Sequence, residues 1–588
     1  MDEREARWLG EISPSELWQH AATLAQWDKT SGTPGERSAV SYLGAQLERF
    51  GLATTQYEFE ALLGWPEEVA VELRSPSSRA LPAITHSFTP STPPAGLEAD
   101  VAYVGAGDEP DFAREPVDGR IVLLDGMPSP TLVLRGQRAG AAGLLFAQQD
   151  RLLHEMCVSP VWGTPTPRTA EYLPTLPVAS IHREDGAMLQ SLLRAGPVRI
   201  WLRTKTFWGW RPVPVLTGHL PGAVERDSFV LLSGHHCSWY LGAMDNGAAN
   251  ATMLEVTRVL ASHRAELRRG LRVAFWPGHT HGRYAGSTWY FDNFWEDLHD
   301  HCVLHVNVDS TGARGATLYN ATSMPETEEL ALGAIRDATG QEGRVERQSR
   351  AGDQSFWSCG VPSVFMDLSA VPAELAANTG SSLFGAAGAV RHSGGLPWWW
   401  HTPEDTLDKL DPEVLVRDTG VYLLATWRGV GSTILPHRLT PAARHIRETI
   451  ERYQHDAGNR FDLASAIARA REVETAASTL DDLLNRTRAQ PVDDALAAIA
   501  NGGARAVDRI LVTLSFTAHG PFDQDLALPI PAVPLLAPVR QLKDLDPTSN
   551  DARFLTTELV RNRNRVVFTL REALRAAENA IAALRKAV

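Results

Sequence analysis

Cysteine is scarce here, with four residues (157, 237, 302 and 359) in a chain of 588. So few thiols in so long a chain make no disulfide framework. No run of 18 apolar residues occurs, so no segment is expected to span a membrane. Lysine and arginine form no long block and the formal net charge is -14. That argues against nucleic acid or an anionic membrane as a partner. The opening stretch, "MDEREARWLGEISPSELWQH", places acids first and has none of the apolar core of a secretory leader. Internal repeats and low-complexity tracts are missing too. These absences together lead to the expectation of a soluble cytoplasmic protein with reduced thiols.

What is present is an ordinary globular balance, 44% hydrophobic and 21% charged. The length exceeds what one core supports and implies two to four domains. Residues 14–51 read as one or two helices, with Ala39, Leu43, Leu47 and Phe50 on one face and Gly51 as the stop. From about 58 to 205 the texture changes to short strands such as "GRIVLLDG", "AGLLFAQ" and "LPVASIH", punctuated by Gly and Pro. This reads as a small inserted β-rich domain over 59–205, with 1–58 the helical start of the main domain. From 206 to 435 strands alternate with helices: "DSFVLLSGHH", "LRVAFWPGHTH", "CVLHVNVDS" and "PSVFMDL" are separated by helical stretches. That alternation predicts a doubly wound mixed α/β sheet covered on both faces. Residues 436–588 are mostly helical, interrupted by the Pro-rich crossing "DLALPIPAVPLLAPVRQL".

In doubly wound sheets, ligands sit at the carboxyl ends of the strands. Four such ends or loops carry chemistry here: His235 and Asp245 in "GHHCSWYLGAMDNGAAN", His279 and His281 in "GHTHG", Asp309 in "HVNVDSTG", and His401 in "WWWHTPEDTLDKLDP". Any one of these alone is more often a satisfied polar group or a cap. Four converging on one sheet edge point to a zinc-like divalent ion, which prefers imidazole nitrogen and carboxylate oxygen. A carboxylate shared between two ions about 3.5–4 Å apart would make a two-metal hydrolytic site.

At these residues the chain resembles the co-catalytic zinc peptidases that include bacterial aminopeptidases, glutamate carboxypeptidase II and the transferrin receptor. "GTPGERSAVSYL" is similar to the family's opening helix. The span "DGRIVLLDG" through "LPVASIHREDG" resembles its protease-associated domain. "LTGHLPGAVERDSFVLLSGHHCSWYLGAMDNGAANATMLEV", "HVNVDSTG" and "WHTPEDTLDKLD" follow its metal segments, and the C-terminal helices resemble its dimerisation domain. The resemblance implies one or two divalent ions, zinc foremost, and a homodimer. His235 and Asp309 would bind one ion, Asp245 would bridge both, and His401 would bind the second. In the family, the loop matching "RAGDQSFWSCG" approaches substrate, which extends a rim role to Asp353 and Gln354.

Three positions depart from the family. Its His-x-Asp has Cys237 in place of the Asp, so His235 needs another group to orient it. A small buried filler and a thiolate ligand are both open for that Cys. The family's Glu-Glu, base then ligand, falls on His279 and Thr280 or on Thr280 and His281, according to where one inserted residue lies. Trp400 replaces a Tyr before the last ligand His, and its indole donates but does not accept. His236, pointing away from His235 on an extended strand, is read as packing or as the rim of the pocket.

Two functions remain in competition. In the first, His281 replaces the Glu ligand and His279 is the general base. The protein is then a hydrolase of an amide or peptide C–N bond, acting through a metal-bound hydroxide on short peptides or small amides. In the second, the protein is a non-catalytic, receptor-like homodimeric interaction protein. The altered position gains imidazoles, which still bind metal, and that favours the remodelled hydrolase. An amidohydrolase of non-peptide amides is a third reading.

Overall fold

The computed structural model describes residues 1–377 and 394–587. Its centre is a mixed sheet. Arg344–Arg347 is followed in order by Asn320–Ser323, Ser363–Asp367, Cys302–Asn307, Glu225–His235, Arg269–Trp276 and Arg199–Leu220. The three strands Cys302–Asn307, Glu225–His235 and Arg269–Trp276 run parallel, and Arg199–Leu220 joins antiparallel. Side chains alternate across a strand, and the two faces of Glu225–His235 sort accordingly. Val230 and Leu232 enter one core, shared with helices Ala249–Ser262 and Pro412–Gly431. Phe229 and Leu231 enter the other, shared with helix Ala285–Asn293. Burial on both faces explains why this strand reads as an unbroken apolar run. Each fully buried Leu or Phe adds about 1.5–3 kcal/mol.

The helix Pro34–Arg49 follows its sequence pattern. Proline opens it, Ala39, Val40, Leu43 and Leu47 are buried, and Gly51 leaves it at φ +83°. Helix Pro412–Gly431 starts where the Asp411 carboxylate accepts the amide hydrogens of Glu413 and Val414.

The inserted β-rich region has cores of its own. Val122, Leu124, Leu144 and Phe146 pack on one side of its parallel strands, and Ile121, Leu123, Leu145 and Ala147 on the other. Its boundaries differ from the expected 59 and 205. Both positions fall inside long strands, Ala53–Ser75 and Arg199–Leu220, which pair with each other along nearly their whole length. The second strand also pairs with Arg269–Trp276 near its end and with Leu97–Tyr103 near its start. One hydrogen-bonded path therefore runs from Ile121–Asp125 to Glu225–His235. The β-rich region expected as an inserted domain thus has separate cores on a ribbon it shares with the main sheet. The C-terminal region packs four long helices, Leu439–Ala457, Ala464–Arg488, Asp494–Phe516 and Asn550–Ala587, around a further core.

Candidate metal centre

Strand Glu225–His235 ends on His235, strand Cys302–Asn307 ends two residues before Asp309, and both point their termini at one spot. There His235 Nε2 lies 3.2 Å from Asp245 Oδ1 and 3.5 Å from Asp309 Oδ1. His401 Nε2 lies 3.0 Å from Asp245 Oδ2. Asp245 thus offers one oxygen to each imidazole, and the four side chains expected to converge do so.

The tautomers are set from behind. His235 Nδ1 lies 2.8 Å from the Cys237 carbonyl and His401 Nδ1 lies 2.9 Å from the Glu155 carbonyl. A carbonyl only accepts, so each Nδ1 carries the hydrogen and each Nε2 turns a lone pair to the cluster. This answers the missing Asp at position 237, because the backbone carbonyl of Cys237 orients His235 in its place. The Cys237 thiol is buried and accepts the His279 amide hydrogen at 3.2 Å.

A divalent cation fits this donor set. His235 Nε2 and Asp245 Oδ1 are buried and lack hydrogen-bond partners although they face each other. Lone pairs aimed at a common centre produce that pattern. Burial opposes a proton on His235, but Asp309 and Asp245 outweigh it and hold its pKa well above the usual value, so the pocket calls for positive charge. Burial pulls His401 down to about 4 against the attraction of Asp245, which leaves a neutral imidazole at pH 7.

The loop after strand Arg269–Trp276 separates the two imidazoles of "GHTHG". His279 stacks on His235, with ring centroids 3.7 Å apart and planes at 19°. Its Nδ1 lies 2.7 Å from Asp353 Oδ2. Ligand atoms of His235, His279 and Asp309 fall within 4.8 Å of one another. Stacked rings do not chelate one ion, however: an ion about 2.0–2.1 Å from one nitrogen, in that ring's plane, lies off the plane of the other. His279 therefore stands beside the ion position. The expectation that His281 is a ligand is corrected. Its Nδ1 pairs with Thr280 Oγ1 at 2.9 Å, its ring lies edge-on to Trp239 and Trp65, and burial pushes it down to about 3. The extra residue of this loop turns His281 into an aromatic pocket.

Asp353 and Gln354 are not rim residues. Asp353 is buried behind His279, and its other oxygen accepts from Ser287 Oγ at 2.8 Å. Burial raises its pKa, but His279 and Ser287 outweigh that and bring it below the usual value, so it stays ionised. Gln354 is buried away from the cavity and accepts from Ser363 Oγ. Trp400 does line the cavity and stacks on His401 at 3.4 Å. His236 packs against Glu36 at 3.2 Å.

Several supports had no sequence signal strong enough to single them out. Asp405 accepts the amide hydrogens of Met244 and Asp245 at 2.9 and 3.0 Å and so fixes the backbone that carries the Asp245 carboxylate. Asn246 donates to the His235 carbonyl at 3.0 Å and accepts from the Ser310 amide, tying two strand ends together. Glu155 comes from the inserted region, some 250 residues from the His401 it holds. The Asp405 position, four after His401 in "HTPED", carried the only hint. Positive-φ residues other than glycine also gather here: Tyr240, Arg283, Tyr284, Ser310, Asp353 and His401. Such strain is held where a site is over-determined.

The cluster opens into a cavity of about 520 Å³. Pro128–Thr131, Met156 and Cys157 of the inserted region form part of its lining, and Ala527–Pro531 of the crossing form another part.

Residues 216–424 match peptidase family M28. That stretch, which holds the converging histidines and aspartates, is similar to the M28 peptidases. A probable glutamate carboxypeptidase of Zea mays is 23% identical over 382 residues, 53% of this chain and 52% of that protein. The chain thus spans about half the length of that curated relative. Aminopeptidase YwaD of Bacillus subtilis is 22% identical over 68% of this chain and 81% of its own. Among solved structures, a peptidase M28 precursor from Shewanella amazonensis matches the fold with TM-score 0.58 and 18% identity. It covers 74% of this chain and 97% of that one. His235, Asp245, Asp309, His401 and the "GHTHG" loop all lie within the matched residues.

Proposed function

We propose that the protein is a metal-dependent hydrolase of amide or peptide C–N bonds in short peptides or small amides. The observation that carries this reading is the pair of buried, unpartnered atoms, His235 Nε2 and Asp245 Oδ1, facing each other across 3.2 Å between two imidazoles of fixed tautomer. One or two divalent ions, zinc fitting these nitrogen and oxygen donors best, would supply Lewis acidity and an activated water. His235 and Asp309 would hold one ion, His401 the second, and Asp245 both.

The remaining chemistry falls to the chain's own groups. His279 takes the place of the family's carboxylate base. Asp353 holds its Nδ1 hydrogen, which leaves Nε2 to accept a proton at the cluster and return it to the leaving amine. The ionised Asp353 stabilises the imidazolium formed in between. Trp400 and Trp239 wall the reacting centre with apolar surface and help exclude water. A cavity of this volume, closed in part by the inserted region and the crossing, suits a short substrate.

The finer parts of the reading have separate support. A homodimer through the helical region is supported by the exposed Phe554 and Phe568 on helix Asn550–Ala587, both more than half exposed. A cytoplasmic setting is supported by four cysteines that are all unpaired. No described helix is long and apolar enough to cross a membrane. The test of the whole reading is hydrolysis of a panel of dipeptides and small amides by metal-loaded protein, with His279→Ala as control. Turnover that His279→Ala lowers by about 10²–10⁴-fold is expected, and no turnover of any substrate would overturn the reading.

A further inference from the structure

The two imidazoles that face Asp245 are held from behind in different ways. His235 Nδ1 donates to a carbonyl only two residues along the chain, that of Cys237. His401 Nδ1 donates to the carbonyl of Glu155, 246 residues away in the inserted region. The cluster is therefore supported locally on one side and by a remote segment on the other. The remote support is a double clamp. The Glu155 amide donates to the His401 carbonyl at 3.0 Å, and the His401 ring returns a hydrogen to the Glu155 carbonyl at 2.9 Å. Beside that pair, His154 Nδ1 lies 2.5 Å from the Trp400 carbonyl. A carbonyl only accepts, so His154 is the donor. Its side chain is fully buried.

Residue 401 needs such a hold. It sits at φ +58°, a conformation that side chains of its size rarely adopt. Strain of this kind persists only where the surroundings over-determine it, and here much of that determination comes from the inserted region. Gln148 grips His154 at both backbone groups, donating to its carbonyl at 2.9 Å and accepting from its amide at 2.7 Å. The strip beyond is tied down in turn. The Ser87 amide donates to the Met156 carbonyl at 2.9 Å, and the Val158 amide to the Ser87 carbonyl at 3.1 Å. Trp239, which packs in the same core as Val158, sets its ring edge-on to His401 at 4.1 Å. Gln148, His154 and Glu155 all lie outside the residues 216–424 that match the M28 peptidases. The site's metal-facing side chains thus belong to the matched stretch, but the hold on one of them does not.

We propose that His154 is a positioning residue of the metal centre. Its bond to the Trp400 carbonyl holds the backbone of His401 in the conformation that turns Nε2 toward Asp245. The inserted region then governs occupancy of the His401 ion position and not of the His235 position. This rests on the two-ion form of the hydrolase reading, but zinc uptake tests it without turnover. Chelator-treated wild type, His154→Leu, His154→Asn and Gln148→Met are titrated with zinc in a calorimeter, with His401→Ala as reference. Wild type should bind two equivalents and His401→Ala one. His154→Leu fills the space without a donor. It should weaken one step by about 10- to 100-fold, the usual cost of removing a group that orients a ligand. That step should be the one missing in His401→Ala, and the other should keep its wild-type affinity. A general loss of structure would weaken both. His154→Asn keeps a donor at the Nδ1 position, gives up the 3.1 Å contact of Nε2 with Asp150 Oδ2, and should restore most of the affinity. Gln148→Met loosens the His154 backbone, should weaken the same step less, and carries the test if His154→Leu does not fold. Equal weakening of both steps, unchanged uptake in whichever of His154→Leu and Gln148→Met fold, or no recovery in His154→Asn would overturn the proposal. Wild type that takes up one equivalent overturns it and leaves the hydrolase, and wild type that takes up none overturns both.

Discussion

Of two buried acid–imidazole clusters among the described residues, one at the strand ends and one at His437, only the first is built to bind something. At the strand ends, His235, His401, Asp245 and Asp309 bring lone pairs together at the mouth of a cavity. Where the helical region meets the α/β sheet domain, His437 Nδ1 pairs with Asp508 Oδ2 at 2.7 Å, and Glu326 lies buried nearby. Unpartnered atoms occur there as well: His437 Nε2, Asp508 Oδ1 and both oxygens of Glu326. Yet none of its residues lines the cavity onto which the strand-end cluster opens. The residue types are the same. Convergence of lone pairs, tautomers fixed from behind and access to a cavity make the first a centre. The second is a junction that carries buried polar groups at a cost in stability.

The largest expected effect strikes the first cluster. Asp245→Ala should lower bound metal more than any other single change, because both imidazoles face that carboxylate, and activity should fall with it. Elemental analysis of the purified variant checks this, and unchanged metal content would break the bridging assignment. Next come the two imidazoles of the remodelled loop. His279→Ala should keep its metal and lose about 10²–10⁴-fold in kcat. His281→Phe should keep both metal and most activity, since its ring sits among Trp65 and Trp239. Loss of metal from the His281 variant alone would return the ligand role to that residue.

A smaller effect is expected at the outer face of the helical region. Phe554→Glu with Phe568→Glu should convert a dimer to monomer in sedimentation without loss of helix content. A wild-type monomer at micromolar concentration would contradict the proposed dimer.

The smallest effect belongs to the junction and is pH-dependent. Burial and the neighbouring Asp508 push Glu326 up to about 8 from the usual 4.5. At pH values below 4.5 both folded and unfolded chains hold that proton, and the group costs nothing. As the pH rises through this window the unfolded chain releases the proton while the folded one keeps it, so stability is lost toward pH 8. Glu326→Gln should therefore raise Tm at pH 8 and leave it nearly unchanged near pH 4.5, with metal content untouched. An equal shift at both pH values would remove the titration argument.

The legible part of the molecule was legible for a reason. His235 and Asp309 follow apolar strand runs directly, so a strand-end rule finds them, and the alternation of strand and helix gives the sheet. The "GHTHG" loop resisted because an insertion has no register in a single sequence. Only the three-dimensional path shows that His279 stacks on His235 while His281 turns away. Asp353 was visible as a residue, but its place behind His279 depends on a contact 74 positions away. The supports supplied by the backbone, the carbonyls of Cys237 and Glu155, carry no side-chain identity to read. The boundaries of the insert were misplaced for a different reason. Short apolar runs mark strands strongly, whereas the ribbon Ala53–Ser75 and Arg199–Leu220 is long and half exposed, with a weaker alternation.

The central claim is that the strand-end cluster holds divalent metal. Its most direct test is calorimetric titration of chelator-treated wild-type protein with zinc, followed by thermal unfolding with and without the ion. The account predicts one or two equivalents bound tightly and a clear rise in Tm, since a ligand that binds only the folded state must stabilise it. No saturable zinc uptake, with the same Tm in both samples, would contradict it.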